Sequence, residues 1–152
     1  MTKTWHTERE EELSPVAKDL IASMRGGEVT LLRGELGVGK TAFVRALAKS
    51  LGSTTPVRSP TFTLVHVYKT THPIIRYLVH ADFYRLSSAE GAWKHLGLDE
   101  WAERKDAIIV VEWPDEETKN RHDAGWDILF QFGATETART IDVTPLCGGD
   151  AR

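Results

Sequence analysis

The strongest chemical signal in this chain is Gly34-Glu35-Leu36-Gly37-Val38-Gly39-Lys40-Thr41, which fits G-x-x-x-x-G-K-[ST] at every fixed position. That pattern suits the holding of a nucleoside triphosphate. Backbone N–H groups of residues 35–41 can wrap a β-phosphate, and the start of a following helix adds its positive dipole end. Lys40 can reach the β- and γ-phosphates, and the Thr41 hydroxyl can hold Mg²⁺. Glu35, Leu36, Gly37, Val38, Gly39, Lys40, Thr41 and Ala42 are therefore the expected nucleotide contacts, with ATP and Mg²⁺ as cofactors. A glycine-rich turn before an ordinary helix would explain neither the Lys-Thr pair nor the spacing.

A P-loop needs a further acidic group at the tip of a neighbouring strand, and the chain offers two. Asp82 ends an apolar run inside His80-Ala81-Asp82-Phe83-Tyr84-Arg85, and Glu112 ends another inside Val111-Glu112-Trp113-Pro114. Strand carboxyl ends deliver side chains to the nucleotide crevice of an α/β sheet. One division of labour lets Asp82 hold Mg²⁺ through its waters, while Glu112 orients or deprotonates the attacking water or binds the metal. Ser59 and Thr61, in Ser59-Pro60-Thr61, lie where a γ-phosphate-sensing switch would sit, or form a rigid strand start. His80 can relay a proton, brace Asp82 or simply satisfy a hydrogen bond. Arg58 and Arg85 could stabilise phosphoryl charge or make surface ion pairs. Trp113 could cover the site or belong to the core, and Trp5 or Thr7 could meet the base.

These groups require a strand–loop–helix unit. Residues 28–33 read as the strand before the glycines, and residues 42–51, apolar at Phe43, Val44, Leu47, Ala48 and Leu51, as the helix after them. Residues 61–68 and 74–81 read as strands of an antiparallel hairpin. Residues 107–111 form a continuous apolar run, the pattern of a strand buried on both faces in a parallel sheet. Residues 126–132 and 137–143 alternate as a closing antiparallel pair. The spacing predicts a helix over residues 7–24 with Thr7 as N-cap and Glu10 completing a capping box, or a later start near Ser14 with Pro15 at its first position. Ser87 or Ser88 would cap a short helix through Glu90, Ala92, Trp93 and Leu96, followed by a helical turn or two over 98–104. Residues 114–125 read as an exposed loop. The fold expected is α/β: a P-loop NTPase-like three-layer sandwich, its mixed sheet having a parallel core and antiparallel hairpin strands. Residues 1–144 would form one domain and 145–152 a disordered tail.

With 152 residues there is room for one core and little for a separate acceptor domain. No apolar run approaches the ~20 residues of a membrane helix. The N-terminus lacks a signal-peptide pattern, so a cytoplasmic location is expected. The single Cys147 has no metal-spaced partner. A net charge of −3 argues against a large basic footprint for DNA or RNA.

Four motifs together carry a family resemblance: the P-loop, Ser59-Pro60-Thr61-Phe62-Thr63-Leu64, His80-Ala81-Asp82-Phe83-Tyr84-Arg85-Leu86 and Val111-Glu112-Trp113-Pro114. In order and approximate spacing the chain resembles the bacterial TsaE (YjeE) family, the ATPases of tRNA threonylcarbamoyladenosine biosynthesis, from about residue 4 to residue 143. The resemblance implies a cytoplasmic Mg²⁺-dependent ATPase, weakly active alone, that binds the TsaD and TsaB proteins. That pair transfers a threonylcarbamoyl group to the adenosine beside the anticodon, and hydrolysis would permit repeated turnover. The tRNA would be met through the complex. By the same resemblance Thr41 and Glu112 are metal-associated, Lys40 holds phosphate, Asp82 is essential for hydrolysis, and residues 59–61 form the nucleotide-sensing switch. Two departures stand out: Glu35 occupies a position where Asp is commoner, and the segment Ser87–Gly97 carries only Glu90 in place of a more acidic stretch.

Two other readings share these residues. A P-loop small-molecule kinase needs a lid or Arg-bearing insertion that residues 118–121 are too short to supply. A nucleotide-gated interaction module would use ATP to drive assembly and hydrolysis only to reset it. A GTPase is disfavoured by the missing Asn-Lys-x-Asp and Asp-x-x-Gly motifs.

Overall fold

A computed structural model of the protein describes residues 1–58, 64–86 and 91–146. The expectations placed on Ser59, Thr61, Glu90, Cys147 and the rest of the last segment lie outside the described residues. Seven strands form one sheet in the order β1-β7-β6-β2-β5-β4-β3. They are β1 (Lys3–Thr7), β2 (Val29–Arg33), β3 (Val65–Lys69), β4 (Tyr77–Asp82), β5 (Ala107–Glu112), β6 (Gly125–Phe132) and β7 (Arg139–Pro145). The inner strands β6, β2, β5 and β4 run parallel, whereas β3, β7 and β1 join antiparallel, as the fold class required.

Strand side chains alternate between faces, so each strand feeds two cores. Leu32, Leu78, Ile108, Val110 and Ile128 pack with α1 (Leu13–Ala22) and α2 (Lys40–Leu51). Leu31, Val79, Ala81, Ile109 and Val111 pack on the other face with α3 (Ala92–His95) and α4 (Leu98–Ala102). This gives three layers. The stripe Phe43, Val44, Leu47, Ala48 and Leu51 seats α2 on the sheet, and each large member buried there contributes about 1.5–3 kcal/mol. All six residues of β5 are buried, as a strand covered on both faces must be.

Four expectations need correction. Thr7 caps no helix: it is the buried last residue of β1, paired with Arg139 of β7. The helix begins at Leu13 after a 3₁₀ turn, Glu10–Glu12. Pro15 falls in its first turn, where the missing N–H would have had no helical partner, so the later start is the nearer reading. Residues 114–125 are not wholly loop. Asp115 accepts a hydrogen bond from the Thr118 N–H at 2.9 Å and caps a short helix, α5 (Glu116–Lys119), with Thr118 buried beneath it. Residues 145 and 146 are ordered, not part of a disordered tail: Pro145 ends β7 opposite Trp126 and the Leu146 N–H bonds the Gly125 carbonyl. Among the described residues no helix is long and apolar enough to cross a membrane.

Candidate functional site

The parallel register brings three strand ends into one row: Leu32 stands beside Glu112, and Glu112 beside Asp82. Backbone bonds continue this row past the strands, from the Phe83 N–H to the Glu112 carbonyl at 2.9 Å and from the Trp113 N–H to the Leu32 carbonyl at 3.3 Å. The P-loop leaves β2 at this row and turns into α2. Gly37 (φ 78°) and Gly39 (φ 115°) hold left-handed conformations that a side chain would strain. A Cβ on either would meet no atom within 4 Å, so the loop faces open space there.

Lys40 folds back over the loop. Its ammonium donates to the Gly34 carbonyl and, at 3.2 Å, to the Glu35 carbonyl, and it lies 3.8 Å from the Trp113 ring centroid. Burial lowers the Lys40 pKa from its ordinary value, while the nearby Glu112 and Asp82 act in the opposite sense. Trp113 has φ 57° without being glycine, a sparsely populated conformation, and Tyr84 packs on it at 4.9 Å between ring centroids.

Glu112 is 3% exposed and is held from two sides. The Thr41 hydroxyl donates to its carboxylate at 3.0 and 3.2 Å, and His80 Nε2 lies 2.6 Å from Oε2. Since a carboxylate oxygen accepts, the imidazole proton sits on Nε2. His80 therefore meets Glu112 rather than bracing Asp82. Asp82 Oδ1 accepts from the Tyr84 N–H at 2.9 Å. Its pKa is raised, first by burial and further by the Glu112 charge, against the lowering effect of the Tyr84 hydrogen bond.

These groups line one cavity of about 400 Å³, walled by Gly37, Gly39, Lys40, Thr41, Asp82 and Glu112, with Leu36, Ala42, Leu64, Tyr84, Arg85 and Trp113 around them. A second cavity of about 220 Å³ shares Gly37, Gly39 and Ala42 and continues past Val38 to Thr7, Arg9, Phe130 and Arg139. Among the described residues no group of three His, Cys, Asp or Glu could hold a metal alone. A hydroxyl and two carboxylates beside a phosphate loop nevertheless fit Mg²⁺, which commonly takes one or two carboxylates and completes its shell with phosphate oxygens and water.

Of the residues singled out in the sequence, Leu36, Gly37, Gly39, Lys40, Thr41, Ala42, Asp82, Arg85, Glu112 and Trp113 meet at this cavity. Glu35 is exposed and contributes its carbonyl, and Val38 is buried under the loop. Arg58 is exposed, bonded to the Tyr68 hydroxyl through its backbone and absent from the cavity wall. Trp5 packs against the core, and Thr7 lines the second cavity. Sequence reasoning missed Arg139, whose Nε donates to the Val38 carbonyl at 2.8 Å and ties β7 to the phosphate loop. It also missed Leu64 (φ 63°), whose carbonyl receives the Asp82 N–H. An arginine opening a strand carries no periodic signal of such a contact.

A family model described as "Threonylcarbamoyl adenosine biosynthesis protein TsaE" matches residues 7–141. A curated tRNA threonylcarbamoyladenosine biosynthesis protein TsaE from Aquifex aeolicus is 42% identical over 117 residues, 72% of this chain and 86% of the relative. One from Nostoc is 35% identical over 146 residues, 95% of this chain and 86% of the relative. The crystal structure of Bacillus subtilis YdiB superposes with a TM-score of 0.75 at 29% identity, covering 96% of this chain and 86% of that one.

Proposed function

The chain belongs to the TsaE family of tRNA threonylcarbamoyladenosine biosynthesis, and from that premise we propose that it is a Mg²⁺-dependent ATPase that binds the TsaB–TsaD pair and hydrolyses ATP so that the modification can turn over repeatedly. One observation carries the reading. The P-loop hydroxyl of Thr41 sits 3.0 Å from the buried Glu112 carboxylate, with Asp82 in register beside it on the next strand.

In this reading backbone N–H groups of residues 35–41 cradle the phosphates. Lys40 exchanges the Gly34 and Glu35 carbonyls for phosphate oxygens, and Trp113 excludes water from its ammonium. Thr41 and Glu112 would hold the metal, which supplies charge neutralisation on the β- and γ-oxygens. Asp82, in register beside Glu112 at the end of β4, orients the attacking water and accepts its proton. Water adds to the γ-phosphorus while the bond to the β–γ bridging oxygen breaks, and ADP leaves with that electron pair. The second cavity, which shares Gly37, Gly39 and Ala42 with the first in its lining, would give the base and ribose room.

The test is phosphate release from ATP by the purified chain, alone and with a cognate TsaB–TsaD complex and tRNA. Slow basal release that rises with the complex is the expected result. Release that ignores the complex, with phosphate appearing on a small-molecule acceptor, would replace the ATPase by a kinase. Full multiple-turnover modification by a hydrolysis-dead chain would reduce it to a nucleotide-gated binding module.

A further inference from the structure

We propose that His80 is a positioning residue for hydrolysis: its Nε2–H pins one oxygen of Glu112, which keeps the carboxylate turned toward Thr41 and the phosphate pocket. The proposal rests on the ATPase reading above.

His80 lies two residues before Asp82 on β4, so both side chains leave the same face of the strand, the face covered by α2. Its neighbours on that face, Leu78 and, across the ladder, Ile108 and Val110, are apolar and belong to the core. An imidazole is out of place among them. It is fully buried, and its Nδ1 has no hydrogen-bond partner among the described residues, an expense that a leucine at the same position would not incur. Only Nε2 has a partner, and that partner is Glu112 at 2.6 Å.

The geometry says what this contact does. The Thr41 hydroxyl reaches both carboxylate oxygens at 3.0 and 3.2 Å, so Thr41 alone does not choose between rotations of the carboxylate about its own axis. The Nε2–H, directed at Oε2 alone, makes that choice. It leaves Oε1 as the oxygen engaged only by Thr41, the hydroxyl placed at the phosphate loop. Fixing a carboxylate from behind, through a rigid strand, is how groups outside the ligand shell set metal sites, and losing one typically changes metal affinity or activity about 10–100-fold.

Three variants test this. His80→Gln carries an amide N–H to the place of Nε2, whereas His80→Leu fills the space without a donor. His80→Asn retains an amide that ends too short to reach Glu112, and it replaces the leucine variant should that one fail to fold. Measured quantities are kcat and KM for ATP hydrolysis, ATP affinity in EDTA and in Mg²⁺, and the thermal midpoint. The expected result is a kcat about 10–100-fold lower in His80→Leu and His80→Asn. Their ATP affinity in EDTA stays at the wild-type value, and the gain in affinity that Mg²⁺ confers on wild type is lost. His80→Gln should recover most of both kcat and that gain. Equal kcat in the Gln and Asn variants, or wild-type kcat in His80→Leu, overturns the proposal and leaves the ATPase reading standing. A wild-type chain that neither binds nor hydrolyses Mg·ATP removes that reading, and the proposal with it.

Discussion

Replacing Glu112 separates what this carboxylate does for stability from what it does for chemistry. Glu112→Ala removes the acceptor of the His80 N–H in a site where Glu112 is 3% exposed. A buried donor left without a partner costs about 1–3 kcal/mol. One buried methylene disappears as well, about 0.8 kcal/mol. Thr41 is only partly buried and can turn its hydroxyl to water in the pocket, so it adds little. Together the loss is about 2–4 kcal/mol. At about 2–4 °C per kcal/mol for a chain of this length, the thermal midpoint should fall by about 4–16 °C. Glu112→Gln keeps the methylenes, accepts from His80 with its oxygen and donates to Thr41 with its amide, so it should stay within about 1 kcal/mol of wild type. Both variants lose the negative charge that would hold the metal beside Thr41, and kcat should fall about 10²–10⁴-fold in each, the equivalent of several kcal/mol of charge stabilisation. Urea or thermal unfolding in EDTA reports the first quantity and single-turnover phosphate release the second. A Glu112→Gln protein with wild-type kcat would refute the assignment of chemistry to this charge. A Glu112→Ala protein with an unchanged midpoint would refute the reading of the His80–Glu112 contact as buried and specific.

Two further predictions concern groups around the same loop. Arg139→Leu frees the Val38 carbonyl and should weaken ATP binding about 10-fold by calorimetry while leaving the Glu112 contacts intact, because a hydrogen bond to a charged donor is worth about 1.5–3 kcal/mol and part of it is recovered from water. Asp82→Asn should abolish hydrolysis yet stabilise the metal-free fold at pH 7. Burial raises the Asp82 pKa above 3.8, so its ionised form is disfavoured in the folded state. The folded chain then binds that proton more tightly than the unfolded one. The advantage of Asn is therefore fully present above the folded-state pKa and vanishes as pH falls below 3.8, which unfolding midpoints across pH 3–8 in EDTA will follow. An advantage that grows toward acid pH would reverse the argument.

The elements legible from sequence were those whose own residues bury a face. The run Ala107–Val111 could only be a strand covered on both sides, and the stripe Phe43 to Leu51 only a helix on a sheet. Asp82 and Glu112 were placed at strand tips because apolar runs stop there, and the register puts them side by side. What escaped was stabilised by partners far along the chain. Strand β1 buries only Thr7 and exists because its backbone completes the edge beside β7. Polar α5 is held by one Asp115 cap over a buried Thr118.

From sequence alone came the expected kind of chemistry, a phosphate-loop motif at a strand-to-helix turn with two carboxylates to accompany it, and the mixed α/β sandwich that holds them. Those follow from local spacing and periodicity, because a turn's glycines, a helix's apolar stripe and a strand's apolar run act over a few residues. Tertiary structure alone decided which side chains speak to one another. His80 faces Glu112 and not Asp82, Lys40 rests on Trp113, and Arg139 grips the loop from the far strand β7. Side-chain contacts across a sheet depend on register and on which face each residue takes, and a shift of one position reverses every one of them.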